Sequence, residues 1–234
     1  MNDRLPMNSE TIEPPATRRP LEPLVSPIVP FYDRDGITIY NADCRQVLPF
    51  LDRFDLLLTD PPYGMNAMNG SRYRKYGIDA SDNWDCNRPV RFVFDQMLEA
   101  ASQSVVWGMN YFCDLLPPHK CVLVWHKPHI AHLPGRSDAE LAFTTLDGGV
   151  EMRSMTGDQE RVHPTQKPLA LMKWCIGLVP EAKSVVDPFM GSGTTLVAAK
   201  LLGLRAVGIE INREYCEAAV ERLRQGVLGF DSEG

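Results

Sequence analysis

Ser184-Val185-Val186-Asp187-Pro188-Phe189-Met190-Gly191-Ser192-Gly193-Thr194-Thr195 constrains the fold of this chain more than any other stretch. A short β-branched run ends in an acid and a glycine turn. Leu196-Val197-Ala198-Ala199-Lys200-Leu201-Leu202 follows as good helix material and stops at Gly203. Strand, glycine loop and helix open a nucleotide-binding βα unit. The next strand candidate, Arg205 to Glu210, ends in an acid about 20 residues past the loop, where a carboxylate accepts hydrogen bonds from ribose hydroxyls. No Gly-Lys-Ser/Thr follows the loop, and Leu196 stands where a dinucleotide fingerprint has its third glycine. An acid beside the loop repels a pyrophosphate but suits a ligand with a positive end, such as S-adenosylmethionine with its ammonium and sulfonium. A glycine-kinked βα turn without a ligand is the alternative reading.

Asp60-Pro61-Pro62-Tyr63 closes a second apolar run, Phe54-Asp55-Leu56-Leu57-Leu58-Thr59. Consecutive prolines fix their own φ and remove two backbone donors, which leaves nearby carbonyls facing outward. Asp60 and a backbone carbonyl then offer acceptors and Tyr63 a flat surface, a set suited to a planar, amino-bearing ligand such as a nucleobase. A Pro-Pro turn with a solvated Asp and a packed Tyr is the alternative.

Together these segments resemble the DNA amino-methyltransferases, which methylate the exocyclic amino groups of adenine or cytosine. The resemblance covers residues from about Ile37 to Leu223. Asp60-Pro61-Pro62-Tyr63 is similar to the family's catalytic motif and Asp187 to Gly193 to its cofactor loop. Gly208-Ile209-Glu210-Ile211-Asn212 resembles the ribose-binding strand end, and His163-Pro164-Thr165-Gln166-Lys167-Pro168 the motif bordering the methionine moiety. Asn41-Ala42-Asp43-Cys44 resembles the segment near the cofactor's adenine. The catalytic motif precedes the cofactor loop, as in the circularly permuted β group and its compact, phage-type members. The resemblance therefore implies Asp60, Pro61, Pro62 and Tyr63 as catalytic residues. It implies contacts to S-adenosylmethionine from Asp43, Cys44, Asp60, His163, Thr165, Lys167, Asp187, Phe189, Gly191, Ser192, Gly193, Thr194, Glu210 and Asn212. The expected substrate is a flipped adenine in double-stranded DNA, because the motif begins with Asp. Cytosine N4, an RNA substrate and a non-catalytic nucleic-acid-binding module are the alternatives.

Strands are expected over residues 36–40, 54–59, 104–107, 121–125, 140–144, 184–187 and 205–210, and helices over 45–51, 90–102, 167–178, 192–202 and 213–225. Their alternation implies an α/β fold, a doubly wound and mostly parallel sheet of the Rossmann-like methyltransferase type in permuted order. Ligands then sit at the carboxyl ends of the strands. Residues 1–30 read as a flexible Pro-rich arm and 31–234 as one domain, with no separate target-recognition domain between 146 and 162. Within the loop 64–87, Arg72, Tyr73, Arg74 and Lys75 are candidate DNA contacts: cations for phosphates and a ring for unpaired bases.

A net charge of −6 excludes a generic nucleic-acid coat, not a localised basic groove. Six cysteines without paired spacing indicate a reduced interior, and the expected location is the cytoplasm of a bacterial or phage-infected cell. Pro128 interrupts the cluster of His126, His129 and His132, so no metal is expected. No apolar stretch is long enough for a membrane span. An acidic chain with few DNA contacts gains grip by pairing, which makes a homodimer the expected assembly; a cognate restriction nuclease is neither implied nor excluded by the sequence.

Overall fold

The computed structural model describes residues 28–64, 88–128, 137–156 and 166–228 of the chain. The expectations for most of the Pro-rich arm, for Arg72, Tyr73, Arg74 and Lys75, and for His129, His132, His163 and Thr165 lie outside these residues.

Among the described residues, nine strands form one sheet: β1 (Tyr32–Arg34), β2 (Ile37–Asn41), β3 (Phe54–Thr59), β4 (Ala101–Trp107), β5 (Val122–His126), β6 (Ala139–Thr144), β7 (Val150–Ser154), β8 (Ser184–Asp187) and β9 (Arg205–Glu210). Their spatial order is β1-β2-β9-β8-β3-β4-β6-β5-β7. From β2 through β4 every neighbouring pair is parallel. Strand β6 runs antiparallel to both β4 and β5, while β7 pairs parallel with β5. The expected mostly parallel, doubly wound sheet is the one observed.

The helices are α1 (Cys44–Val47), continued by a 3-10 turn over Leu48–Phe50, α2 (Arg91–Glu99), α3 (Leu169–Gly177), α4 (Thr194–Leu201) and α5 (Arg213–Leu228). Side chains alternate across a strand, so β3 sends Leu56 and Leu58 into one core and Leu57 into the other. The first core holds Leu171, Met172 and Cys175 of α3 with Cys216 and Ala219 of α5. The second holds Val47 of α1 with Val93, Phe94 and Met97 of α2. With both faces covered, the central strands are buried runs rather than alternating ones, as in parallel sheets generally.

Four elements depart from expectation. The helix expected over 90–102 ends at Glu99, and Ala101 already pairs with Phe54 in the ladder of β4 and β3. The helix expected from Lys167 starts at Leu169, because Pro168, with an extended backbone (ψ 140°), stands at its N-terminal boundary. Strands β1 and β7 were not anticipated: every β7 residue is exposed, so burial imposes no alternation on its sequence.

Leu58 is fully buried in the middle of the parallel sheet and one residue from the β3 terminus. Its replacement Leu58→Ala is expected to lower the free energy of unfolding by about 2–5 kcal/mol, from lost transfer energy plus the cavity left behind. A urea titration of the purified variant checks this.

Candidate active site

Strand β8 continues in the chain to β9 on one side of the sheet, while β3 continues to β4 on the other. Their boundary is the point where an open parallel sheet leaves a crevice beyond its carboxyl ends. Asp187 ends β8, Asp60 follows β3, and Glu210 ends β9, so all three carboxylates arrive at one rim. A cavity of about 620 Å³ opens there, walled by Asp60, Lys167, Asp187, Phe189, Gly191 and Glu210 among others.

Two carboxylates are held by the chain itself. Asp187 Oδ1 accepts from Thr59 Oγ1 at 2.7 Å and from the Phe189 N–H at 3.1 Å. Glu210 accepts from the Gly191 N–H at 3.0 Å and the Asn212 N–H at 2.8 Å. Burial nevertheless pushes Asp187 up to about 6 and Glu210 up to about 7. Taking a charge out of water is costly, and neither acid has a cation among these partners. The rim is therefore built to receive positive charge and hydrogen-bond donors.

Asp60 is handled differently. Lys167 Nζ lies 2.5 Å from Asp60 Oδ2, and Tyr63 donates its hydroxyl to Asp60 Oδ1 at 2.5 Å. Lys167 also lies 2.8 Å from Glu140 Oε2, and Lys127 donates to the other oxygen of Glu140. Burial raises Asp60 above the usual carboxylate range, Lys167 opposes the rise, and Glu140 adds to it. Burial alone would lower Lys167, but Asp60 and Glu140 outweigh it and hold the ammonium charged.

The Tyr63 ring stacks on Tyr111, with centroids 4.5 Å apart and planes 15° apart, and meets the edge of Phe112. Gly108 permits this approach: its φ is +77°, and a Cβ there would fall 2.2 Å from Tyr63 Cε1. Any other residue would meet both backbone strain and a ring.

Among the residues expected at the site, Asp43, Cys44, Asp60, Pro62, Lys167, Asp187, Phe189, Gly191, Ser192, Thr194 and Glu210 line the cavity. Lys167, assigned to the cofactor by resemblance, is engaged by Asp60 and Glu140. Asp43 caps α1 through the Arg45 N–H and pairs with the Arg45 guanidinium, which holds its carboxyl below the usual range. Burial pushes the Cys44 thiol up to about 12, so it is a neutral wall rather than a nucleophile. Ser192 and Thr194 accept from Arg222 of α5 at 3.1 and 3.0 Å, which ties the glycine loop to that helix. Gly193, at φ +77°, starts α4, where a Cβ would press within 2.8 Å of Ala219. Asn212 accepts from the Glu214 N–H at 2.8 Å, so it caps α5 while its own N–H orients Glu210. Pro61 is buried, and Tyr63 belongs to the aromatic cluster behind Asp60.

Glu140, Lys127, Gly108, Tyr111 and Arg222 were not anticipated as site residues. Gly108 directly after a buried strand, with two aromatics close behind it, is a readable signal. Nothing local marks Glu140 or Lys127, because their partners lie far away in the chain. Among the described residues no cluster of His, Cys, Asp and Glu has the makings of a metal site, and no helix is long and apolar enough to cross a membrane.

Comparison with known proteins agrees with this geometry. A family model described as DNA methylase matches residues 116–221. The type II methyltransferase M2.LlaDCHI of Lactococcus lactis subsp. cremoris is 45% identical over 252 aligned positions, covering 84% of this chain and 93% of that relative. Three other curated type II methyltransferases match over 62, 70 and 71 residues, and there the chain spans 23% of the relative's length. Among solved structures, an M1.HpyAVI–SAM complex superposes with a TM-score of 0.57 at 23% identity, covering 80% of this chain and all of that one. The cytosine-N4-specific PvuII DNA methyltransferase superposes with a TM-score of 0.56 at 16% identity, covering 80% and 86%. Permuted motif order, a carboxylate-rimmed crevice and a relative matched over nearly its whole length converge: the chain belongs to the N6/N4 DNA methylase family, whose cofactor is S-adenosylmethionine.

Proposed function

We propose that the chain transfers a methyl group to the exocyclic N6 of an adenine flipped out of double-stranded DNA. The observation that carries this reading is the juxtaposition of Asp60, an amine acceptor, with the cavity rimmed by Asp187 and Glu210. The cavity fits the cofactor. Its volume of about 620 Å³ accommodates a nucleoside joined to an amino acid, and its two raised carboxylates suit ribose hydroxyls at Glu210 and a cationic end near Asp187.

An adenine amino group is a poor nucleophile because its lone pair is delocalised into the ring. Asp60 and the Pro61 carbonyl accept its two N–H bonds, which favours a pyramidal nitrogen with its lone pair directed into the cavity. A carboxylate has about four lone-pair sites, so Asp60 can take this donor while keeping Tyr63 and Lys167. S-adenosylmethionine, held with its ribose at Glu210 and its cationic end near Asp187, would supply the electrophilic methyl while its C–S bonding pair returns to sulfur, and Asp60 would be placed to take the proton that the methylated nitrogen loses. Orientation and a fixed charge environment supply much of the rate. Tyr63, backed by Tyr111, is the ring on which the extruded base stacks. Asp60 as the leading residue of the turn supports adenine over cytosine.

Incubation of the protein with methyl-labelled S-adenosylmethionine and unmethylated duplex DNA, followed by nucleoside mass analysis, tests the reading. N6-methyladenine is expected, and it should vanish in Asp60→Ala while cofactor affinity stays within about twofold. N4-methylcytosine would retain the mechanism and overturn the base assignment, whereas transfer that survives in Asp60→Ala would overturn the mechanism. Tyr63→Ala should weaken productive DNA binding by about 1–3 kcal/mol, the worth of one base stack. Tyr63→Phe keeps the ring but loses the hydroxyl bond to Asp60, so it should lower kcat more than it raises KM for DNA, with a smaller total effect than Ala.

Cofactor affinity should depend on pH. Asp187 near 6 and Glu210 near 7 bind protons in the ligand-free chain that a cationic, donor-rich ligand must expel. Their raised values also mean that they favour folding at low pH and withdraw that support as pH climbs towards and through 7. Isothermal titration with S-adenosylmethionine should therefore show binding about a hundredfold tighter at pH 7.5 than at pH 5.5, and the pH dependence should shrink in Glu210→Gln.

A further inference from the structure

Glu140 is a partly buried carboxylate next to Lys167 and Asp60 that the reaction as described leaves without a task. It arrives there because β6 is antiparallel: its beginning, not its end, lies at the carboxyl edge of the sheet, with Glu140 opposite Trp125 and Ala139 opposite His126. Lys127 leaves the same edge just past β5, its N–H bonded to the Asp138 carbonyl at 2.8 Å and its ammonium 4.7 Å above the Trp125 ring. The outcome is a row of alternating charges, Lys127, Glu140, Lys167 and Asp60, in which each of the two inner groups contacts two opposite charges. Lys167 is 8% exposed, donates to Asp60 at 2.5 Å and to the Tyr63 hydroxyl at 3.3 Å, and lies in ion-pair contact with Glu140 Oε2 at 2.8 Å.

We propose that Glu140, gripped by Lys127, is a positioning residue for methyl transfer: it shares Lys167 with Asp60, so that the lysine orients the Asp60 carboxylate without withdrawing it from an incoming amine. The inference rests on Asp60 being the amine acceptor. A buried lysine facing a single carboxylate would close on it as tightly as sterics allow. A second anion 2.8 Å away competes for that attraction, and Lys127 in turn holds the other oxygen of Glu140. Burial alone would raise Glu140, but Lys167 and Lys127 outweigh it and hold the acid at about 2, so the divided arrangement persists through the working pH range. The groups that face Asp60 are Tyr63 on its own turn, Lys167 ahead of α3, Glu140 on β6 and Asp187 on β8, with Lys127 behind Glu140.

The two central members of the row push Asp60 in opposite senses, and this supplies the test. The full chain is assayed for labelled methyl transfer to duplex DNA across pH 5.5–9, with kcat and both KM values extracted. Glu140→Gln, an isosteric change, releases Lys167 onto Asp60. The acidic limb of kcat should move to lower pH while its plateau falls about tenfold, with KM for S-adenosylmethionine changed less than about twofold. Lys167→Met leaves Asp60 facing Glu140 with no cation between them, and the acidic limb should move to higher pH. The double variant removes both influences and should lie between the singles, and it avoids an unpaired Glu140 if Lys167→Met alone fails to fold. Lys127→Met should lower the plateau, and Lys127→Arg should restore it. Opposite displacements support the inference. Unmoved limbs, displacements of the same sign, or an unchanged plateau in Glu140→Gln overturn it. Asp60→Ala in the same assay separates the two levels: if it is active, the proposed function itself fails; if it is inactive while the Glu140 and Lys167 variants leave the limb in place, only the role given to Glu140 fails.

Discussion

The pairing of β3 with β8, Leu56 opposite Val185 and Leu57 opposite Val186, is the constraint on which the site depends. These strands are far apart in sequence and parallel in space, so their carboxyl ends deliver Asp60 and Asp187 into one crevice. Thr59 cements the junction by donating to Asp187 at 2.7 Å from the last position of β3. On the other flank, Asp55 at the strand's start accepts from Ser184 Oγ at 2.8 Å. Side-chain bonds at both ends thus reinforce a short ladder. A one-residue slip would turn Leu56, Leu57 and Leu58 to the wrong faces and carry Asp60 away from the cavity.

From that junction the two halves of the site follow different electrostatic rules. On the cofactor side, Asp187 and Glu210 are bonded to backbone and hydroxyl donors, and burial raises both. They are acids short of a cation. On the base side, Asp60 and Glu140 share the buried Lys167, Glu140 also pairs with the half-buried Lys127, and the charges nearly cancel. A site that must receive a cationic donor molecule beside a neutral base gains from this contrast, because charge is left uncompensated only where the ligand brings its own. The aromatic cluster of Tyr63, Tyr111 and Phe112 adds stiffness behind the turn, and Gly108 is the space that lets it close.

Much of this was legible in the chain. The bounds of β3, β8 and β9 match the expected ones because each is a buried β-branched or aliphatic run bounded by turn residues or acids. Asp60 and Asp187 could be placed at one rim from strand order alone. Other features were hidden for physical reasons. Ala101 to Gln103 continue a helix-favouring run, yet pairing with β3 makes them strand. Strand β7 is exposed throughout and exists through its ladder with β5. Lys167 was read through its motif as a cofactor contact, and its ion pairs with Asp60 and Glu140 emerged only when three distant segments met. Asn212 and Asp43 were read as ligand contacts, and their side chains serve as helix caps, a role their residue types commonly take.

The central claim is that Asp60 holds the target amine at the mouth of the cavity rimmed by Asp187 and Glu210. A crystal structure of the protein with a non-reactive S-adenosylmethionine analogue and duplex DNA carrying its target base tests this most directly. The account predicts the exocyclic amine within hydrogen-bond distance of Asp60 and the Pro61 carbonyl, with the analogue's ribose at Glu210. An extruded base whose amine contacts neither group, with Asp60 engaged only by Lys167 and Tyr63, would contradict it.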